Sequence, residues 1–563
     1  MSSAGTELIP TATCYALAAQ HASSRGSPSP YLPGAQEVFE STQMTYTDLV
    51  TDLKTLLGLV TVCVLARLLH NRYRHGLSSV PGPTLASLTD LWRLFLVWGR
   101  RPEQAHIKLH QQYGKFVRLG PYSVSVGDPQ AIQAIYSPGS KFSKSDFYTV
   151  QQTVARGQPL FTLFTSTDDK FHAKLRRGVS SAYSMTTLVQ FEPFVDSTTA
   201  EFLKQLDARF ARGSDTVCDF SKWLQYYAFD VIGELTFSKR LGFIDGGGDV
   251  EGIISALEWL LDYAAVVGLQ NWKQADKGAD ISMQVGQIPS LDKLYLKNPI
   301  RLTLSRLGWT SSNTPVAEFA RKRIAEKLDS EKSLSQDGSV VSGDETAVRR
   351  DFVSRFLEAH EKDPTFITKD RVLALTVANC FAGSDTTSIS LQAIFYYLLK
   401  SPMDMERLMT ELHAQKESGG FIDENGLVKW DQVKNLPFLN AVIKEGFRCH
   451  PAAGLPLERK VPDGGQTICG QYFPAGTIVG CSAWVIHRDE AIFGKDADQY
   501  RPSRWIEASE EQRRLMDASL FQFGAGARTC IGKNISLLEI YKLVPAVLLK
   551  FEVRLAIWPL RQT

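Results

Sequence analysis

The chain has few cysteines and no arrangement of them that pairs. Its eight cysteines are scattered singly over 563 residues, with no Cys-x-x-Cys and none of the close spacing of small disulfide-built domains. Such a distribution suits a reducing compartment, and free core thiols are the default for most of them. An excess of charge is also missing. Against 60 acidic residues stand 62 Lys and Arg, a formal net charge of +2, and there is no long basic run, which argues against nucleic acid as a partner. From about residue 80 to the end, no Pro/Gly/Ser-rich or charged linker divides the chain. Length alone would allow roughly three or four domains, but without a linker the sequence reads as one large domain. Its hydrophobic content of 44% is ordinary for a chain with a sizeable core.

What is present is concentrated near the C-terminus, in Phe523-Gly524-Ala525-Gly526-Ala527-Arg528-Thr529-Cys530-Ile531-Gly532. A helical pattern follows at once, with Ile535, Leu537, Leu538, Ile540, Tyr541 and Val544 on its apolar positions. Glycines let the backbone take positive φ and press close to a flat ligand. Arg528 offers a fixed cation to an acidic group on that ligand. Backbone N–H groups and the positive end of the following helix favour thiolate over thiol at Cys530. A lone thiolate in such a loop is what an axial iron ligand requires. A single cysteine before a helix is usually a small buried hydrophobe, and Gly-x-Gly can open a dinucleotide turn. The turn reading fails because Thr529 stands where the third glycine belongs and no β-α-β unit surrounds it. The buried-hydrophobe reading fails on the whole pattern, Phe-x-x-Gly-x-Arg-x-Cys-x-Gly.

That pattern resembles the haem-binding loop of the haem-thiolate monooxygenases, the cytochrome P450 family. The resemblance extends over about residues 80 to 555. It implies an α+β, mainly α fold, in which a helical domain surrounds haem b beside a small antiparallel β domain. It also implies Cys530 as the metal ligand, with Phe523, Gly526 and Arg528 against the cofactor. Phrases such as Leu457-Glu458-Arg459-Lys460-Val461 and Trp484-Val485-Ile486-His487-Arg488-Asp489 look closest to filamentous-fungal members of the pisatin-demethylase-like branch, which oxidise small secondary metabolites.

Residues 1–45 are rich in Ser, Thr, Ala, Pro and Gln, and the expectation there is disorder. From Leu53 to Leu69 the chain is almost wholly apolar, with Lys54 and Arg67 near the ends. This is the short edge of a membrane span, and residues 49–71 are read as a single-pass anchor. Arg67, Arg72 and Arg74 follow it, while Arg25 is the only Lys or Arg before Lys54, so the bulk of the chain is expected on the cytosolic side. The segment runs into arginines and not into a small-residue cleavage site, which disfavours a signal peptide. A buried core helix is the alternative. Val80-Pro81-Gly82-Pro83 resembles the proline hinge of microsomal family members, and Leu91–Trp98 is apolar enough to dip into the same membrane face. The resemblance implies the endoplasmic reticulum membrane, with residues 80–563 as the catalytic domain.

Four further motifs match the family residue by residue. Asp168-Asp169 caps a helix that carries His172 and Arg176 four apart on one face. These two match positions that contact the haem propionates, and Arg459 matches a second propionate-binding arginine, with Leu455, Pro456 and Leu457 before it facing substrate. Ala382-Gly383-Ser384-Asp385-Thr386-Thr387 interrupts an otherwise apolar helix over residues 370–400, and polar groups there need partners. The hydroxyls either bond back to the preceding turn or line a groove opened by Ala382 and Gly383. The second reading resembles the oxygen-activation motif, with Asp385 and Thr386 as the acid and the alcohol that relay protons. Glu445 and Arg448, at i and i+3, together with Arg504 resemble the buried ion triad that locks the cysteine loop. Phe116–Leu119 and Val124–Val126 read as a hairpin. Phe147, Tyr148, Phe161 and Phe164 fall where the family lines its substrate, although core packing explains any one of them equally well. Leu269–Val285 is a polar interruption read as an insertion, and Gly246-Gly247-Gly248 as a turn.

The implied reaction is insertion of one atom of dioxygen into a small organic substrate. Electrons would come from NADPH through a membrane-bound cytochrome P450 reductase, with cytochrome b5 as an optional second donor. Lys170, Lys174, Arg177 and Lys533 are candidates for the basic face that meets the reductase, and a plain solvated surface is the alternative. After Phe551-Glu552-Val553-Arg554-Leu555 the family continues into a hairpin that returns to the pocket, and this sequence ends at Thr563, so an altered pocket closure is expected. A haem-thiolate isomerase or ring-modifying oxidase, or a haem-binding homologue with little turnover, stays open at this level.

Overall fold

Residues 35–211, 217–265, 288–294, 297–310, 313–336, 351–419 and 427–556 are described by the structure, a computed structural model. The chain divides into two units, Met1–Leu68 and Leu69–Thr563. Of the first, the described part lies in α1 (Ala35–Tyr73), which begins inside the stretch expected to be irregular. Within α1, Leu53–Tyr73 is 21 residues long and apolar enough to cross a membrane by length and composition. Its Leu56, Leu57, Leu59, Val60, Val62 and Leu65 are all exposed. The proposed insertion at 269–285 and the C-terminal residues 557–563 lie outside the described residues.

In the second unit, six helices and one sheet position the site. They are α2 (Leu91–Trp98), α3 (Asp169–Val179), α4 (Phe220–Phe237), α5 (Lys369–Lys400), α6 (Pro437–Cys449) and α7 (Lys533–Lys550). Three of them begin on residues whose chemistry starts a helix. Asp168 caps α3 by accepting from the N–H groups of Lys170 and Phe171, Thr368 caps α5 through Arg371 N–H, and Pro437 opens α6. The main core joins α4 (Tyr227, Val231, Ile232, Leu235) to α5 (Leu375, Leu391, Ile394, Leu398), α6 (Leu439, Val442, Ile443) and α7 (Leu538, Leu543, Val547). Fully burying one such side chain stabilises the fold by about 1.5–3 kcal/mol.

The strands β1 (Phe116–Arg118), β2 (Ser123–Val126), β3 (Ser143–Lys144), β4 (Arg459–Lys460) and β5 (Ile478–Gly480) form one sheet in the order β1-β2-β5-β4-β3. The hairpin β1–β2 is the expected one. This sheet is mixed, because β2 pairs with β5 in parallel, Val124 opposite Val479, whereas two further two-stranded sheets, Val154–Ala155 with Gln158–Pro159 and Gln466–Ile468 with Gln471–Phe473, are antiparallel. Parallel neighbours need a long crossover, and here most of the helical body supplies it. At the other edge, Lys144 of β3 lies opposite Arg459 of β4.

The segment leading from α1 into this sheet is sewn to it by one side chain. Arg118, almost wholly buried, donates through Nη2 to the carbonyls of Asn71 (2.7 Å) and Pro121 (2.9 Å), and through Nη1 to those of Arg72 (3.0 Å) and Leu77 (3.1 Å). Arg118 N–H also donates to Pro81 O at 2.7 Å. Gly82 makes this approach possible, since a Cβ there would stand 2.6 Å from Arg118 O.

Helices α5 and α6 meet at Gly446, where an added Cβ would lie 2.6 Å from Ile394 Cγ1. Gly446→Ala is therefore expected to destabilise the protein by about 1–3 kcal/mol through overpacking. Denaturant unfolding of that variant, of Ile394→Ala and of the double variant checks this. The double variant should recover part of the loss, giving a non-zero coupling energy.

Candidate active site

Helix α5 is buried over most of its length, yet Ala382 and Thr386, one turn apart near its middle, are exposed. A break of that kind in a core helix means that one stripe of it faces open space. Cys530 is exposed as well, although the surrounding protein is dense enough for burial to push its thiol pKa up. Together these describe a group in a slot, open in one direction and enclosed in the others. The backbone N–H groups of Gly532 and Lys533 and the charge of Arg176 pull the pKa down, but burial outweighs them. The expectation that loop and helix dipole alone would favour thiolate is corrected here. The sulfur needs a cation beside it in order to lose its proton.

The loop that carries Cys530 is closed by its own backbone. Cys530 N–H donates to Phe523 O at 2.8 Å and Gly524 N–H to Phe521 O at 2.9 Å. Gly524 and Gly526 take φ of 66° and 63°, a region that costs other residues strain. Gly526 is also pressed against Tyr136, whose carbonyl oxygen would lie 1.6 Å from an added Cβ. Phe523 packs against Phe447 of α6 with ring centroids 5.4 Å apart, which ties the loop to the core.

Around the slot stands a cluster of cations. Arg176 of α3 donates to Thr529 O at 2.8 Å, so α3 holds the cysteine loop directly. Arg459 is buried and donates to Tyr148 Oη (3.2 Å) and Glu458 O (2.8 Å). Arg528 reaches Ser166 O at 3.0 Å and pairs with Asp169. Lys144, unmarked in the sequence reading, is buried beside them and donates to Phe164 O. Burial first, then the charges of Arg459 and Arg528, hold its ammonium pKa well below the ordinary value. His172 is buried too. Burial, then the charges of Arg528, Lys144, Arg176 and Arg459, take its pKa down to about 3, so the imidazole is neutral.

Among the described residues, Asp169 is the carboxylate that pairs with this set, and it does so through Arg528. Glu458 turns its own to Arg93 and to Ser145 Oγ, which donates to it at 2.6 Å. Buried charges need partners, and this set lacks anions. Haem carries two propionates on one edge, so it meets both requirements, negative charge at the cluster and a metal cation at the sulfur. The residues fit that group.

The polar interruption of α5 divides differently from the expectation. Thr386 Oγ1 donates to Ala382 O at 2.8 Å and Ser384 Oγ to Cys380 O at 2.8 Å, so both hydroxyls bond back to the preceding turn. Of the acid–alcohol pair, only Thr386 faces the slot. Asp385, half-buried, points to α4, where Gln225 Nε2 donates to Oδ1 at 3.2 Å. Gly383 does not open the groove. It lets α4 approach, since a Cβ there would stand 2.9 Å from Ile232 Cδ1. Of the residues expected to face substrate, Leu455, Pro456 and Phe147 line one small cavity with Trp92 and Leu96 of α2, while Leu457, Tyr148, Phe161 and Phe164 do not, and neither Thr386 nor Cys530 belongs to that lining.

Behind the loop the ion triad is assembled and fully buried. Arg448 holds Glu445 bidentately (2.9 and 2.8 Å), and Arg504 Nε (2.9 Å) and Trp505 Nε1 (2.9 Å) donate to the same carboxylate. Arg448 continues to His487 O at 2.9 Å and Gln499 O at 2.7 Å. His487, which sequence reasoning gave no role, completes the lock. Its Nδ1 bonds Arg448 O at 3.1 Å, and its Nε2 accepts Phe521 N–H at 2.8 Å at the start of the cysteine loop. Burial takes its pKa down to about 3, so it is held neutral with one nitrogen donating and the other accepting.

The cytochrome P450 family model matches residues 81–557. A cytochrome P450 monooxygenase of Aspergillus terreus is 43% identical over 477 residues, covering 85% of this chain and 90% of that protein. The cytochrome P450 monooxygenase cicH of Emericella nidulans is 41% identical over 486 residues, covering 86% and 90%. The cytochrome P450 monooxygenase mpaDE of Penicillium brevicompactum is 38% identical over 85% of this chain, which spans about half (52%) of that longer protein.

Two outcomes test this geometry. Glu445→Gln should cost about 3–5 kcal/mol in denaturant unfolding, as for one partner lost from a buried network. Burial raises the Glu445 pKa, but the hydrogen bonds and charges of Arg448 and Arg504 more than offset this and leave it lowered. Its stabilisation is therefore complete above the ordinary value of 4.5 and lost as pH falls through the lower folded value. The variant should lack that part of the acid dependence. Gly526→Ala should leave far-UV circular dichroism unchanged while haem retained through purification falls several-fold.

Proposed function

The chain belongs to the cytochrome P450 family, a haem-thiolate monooxygenase, and on that premise we propose how its residues divide the work. The observation that carries the reading is the accessible sulfur of Cys530 in a glycine-bent loop, in a core whose central helix exposes Ala382 and Thr386. Haem, when bound, supplies the redox chemistry that splits dioxygen and places one oxygen atom in the substrate. Cys530 holds the iron through its sulfur. His172, Arg176, Arg459 and Arg528, with Lys144 added by the geometry, hold the propionate edge, and Phe523 and Gly526 keep the loop close to the ring.

Leu455, Pro456 and Phe147 give substrate an apolar wall and exclude water. Thr386 stands at the slot with its Oγ1 able to accept a hydrogen bond, and Asp385, turned to Gln225, is the acid beside it in the acid–alcohol pair of the proton relay. Glu445, Arg448 and Arg504 keep the loop in place and do no chemistry. Exposed Lys170, Lys174, Arg177 and Lys533 suit an acidic reductase, and Lys174 also lies 3.0 Å from Asp363. A span at Leu53–Tyr73 followed by arginines supports anchoring in the endoplasmic reticulum membrane with residues 80–563 in the cytosol. Since the relatives are fungal monooxygenases, a small secondary metabolite is the favoured substrate class.

The reduced protein under carbon monoxide should show the red-shifted Soret band of thiolate coordination, and Cys530→Ser should abolish it. An unchanged band in the serine variant would overturn the assignment. Product formation with reductase and NADPH tests the reaction itself.

A further inference from the structure

Lys144 and Arg459 share the cation cluster only while β3 and β4 stay in register, and little backbone holds them there. β3 is the edge strand of its sheet and pairs with β4 over two residues, Ser143 opposite Lys460 and Lys144 opposite Arg459. Side chains alternate between the two faces of a strand, so a slip by one residue would turn a cation away from the slot. On the slot side Tyr148 stands between the two. Its ring centroid lies 4.1 Å from Lys144 Nζ, and its hydroxyl accepts Arg459 Nη1 at 3.2 Å.

The next pair in this register, Ser145 and Glu458, faces the other way. Both are buried, and Ser145 Oγ donates to Glu458 Oε2 at 2.6 Å. The second carboxylate oxygen, Oε1, is paired with Arg93 of α2, whose Nη1 donates to Ser123 Oγ of β2 at 2.9 Å. Arg93 and Glu458 line the small cavity beside α2, and Lys144 and Arg459 do not. One carboxylate thus joins α2, β2, β3 and β4 from behind the cations. With a guanidinium on one oxygen and a hydroxyl on the other, its charge is compensated and its place is fixed.

We propose that Glu458 is a positioning residue for cofactor binding: through Ser145 it fixes β3 against β4, and so presents Lys144 and Arg459 together to the haem propionates. This rests on the haem-thiolate reading and on the placing of both cations at the propionate edge. Glu458 faces away from the slot and acts only through the strands.

The test uses the full-length holoprotein, with the rate of haem transfer to apomyoglobin and the ferric–ferrous reduction potential as readouts. Ser145→Ala removes one hydroxyl on the far face and changes no charge. It should speed haem transfer several-fold and lower the potential, because cations at the propionates favour the ferrous state. Ser145→Thr keeps the hydroxyl and should restore both. Arg93→Leu with Glu458→Leu removes the ion pair as a unit, leaving no lone buried charge, and should release haem as fast as Ser145→Ala. If that double variant fails to fold, the serine series decides. Lys144→Met alone should have the same two effects but add little to Ser145→Ala, giving a non-zero coupling. A Ser145→Ala variant that leaves both readouts unchanged, or effects of Ser145→Ala and Lys144→Met that simply add, overturns the proposal and leaves the propionate reading standing. If Lys144→Met and Arg459→Met are both silent, the propionate reading falls and the proposal falls with it.

Discussion

One buried carboxylate, Glu445, holds the proximal half of this enzyme together. It takes hydrogen bonds from Arg448, Arg504, Trp505 Nε1 and the backbone N–H of Arg501. The two guanidinia then reach carbonyls between residues 487 and 499, Arg448 those of His487 and Gln499 and Arg504 those of Asp496 and Gln499. That stretch holds one helical turn, Glu490–Phe493, and the carbonyls that the arginines take are ones its own backbone bonds leave a lone pair on. Through His487 the same network ends on Phe521 N–H. The position of the cysteine is therefore set from behind by electrostatics and from the front by the packing of Gly526 on Tyr136.

The site reverses the balance of the triad. In the triad every buried charge has its partner in the protein. At the slot Lys144, Arg176, Arg459 and Arg528 crowd together with Asp169 paired to Arg528 alone, His172 is kept neutral among them, and burial raises the Cys530 thiol pKa. A cluster of that kind is poorly matched to itself and well matched to a ligand with an anionic edge and a cationic centre. Haem would answer both sides, its propionates offering negative charge to Arg176, Arg459, Arg528 and Lys144 and its iron allowing the Cys530 thiol to lose its proton.

Much of this was legible in the sequence where a motif is local. The cysteine loop, the β1–β2 hairpin and the Glu445–Arg448 pair are each written within about ten residues, and the structure has them where the spacing says. Contacts made across the fold were not legible. Lys144 becomes part of the cation cluster only because β3 pairs with β4 opposite Arg459. His487 acts through its two ring nitrogens on residues 39 and 34 positions away. Gln225 meets Asp385 across 160 residues. Gly383 misled for a related reason, since a small residue in a core helix signals close approach without saying of what. Here the answer is Ile232 of α4 and not the cofactor.

Arg118 carries a practical lesson for anyone shortening the protein to obtain it free of lipid. Its guanidinium is satisfied largely by main-chain oxygens from Asn71 to Leu77, just beyond the apolar segment. A cut at about residue 68 leaves all of these acceptors in place. A cut a few residues later strips acceptors from an enclosed guanidinium and loosens the β1 edge of the sheet. The last turn of the apolar helix thus doubles as the acceptor set of a buried arginine, and a shortened form of this enzyme has to keep Asn71.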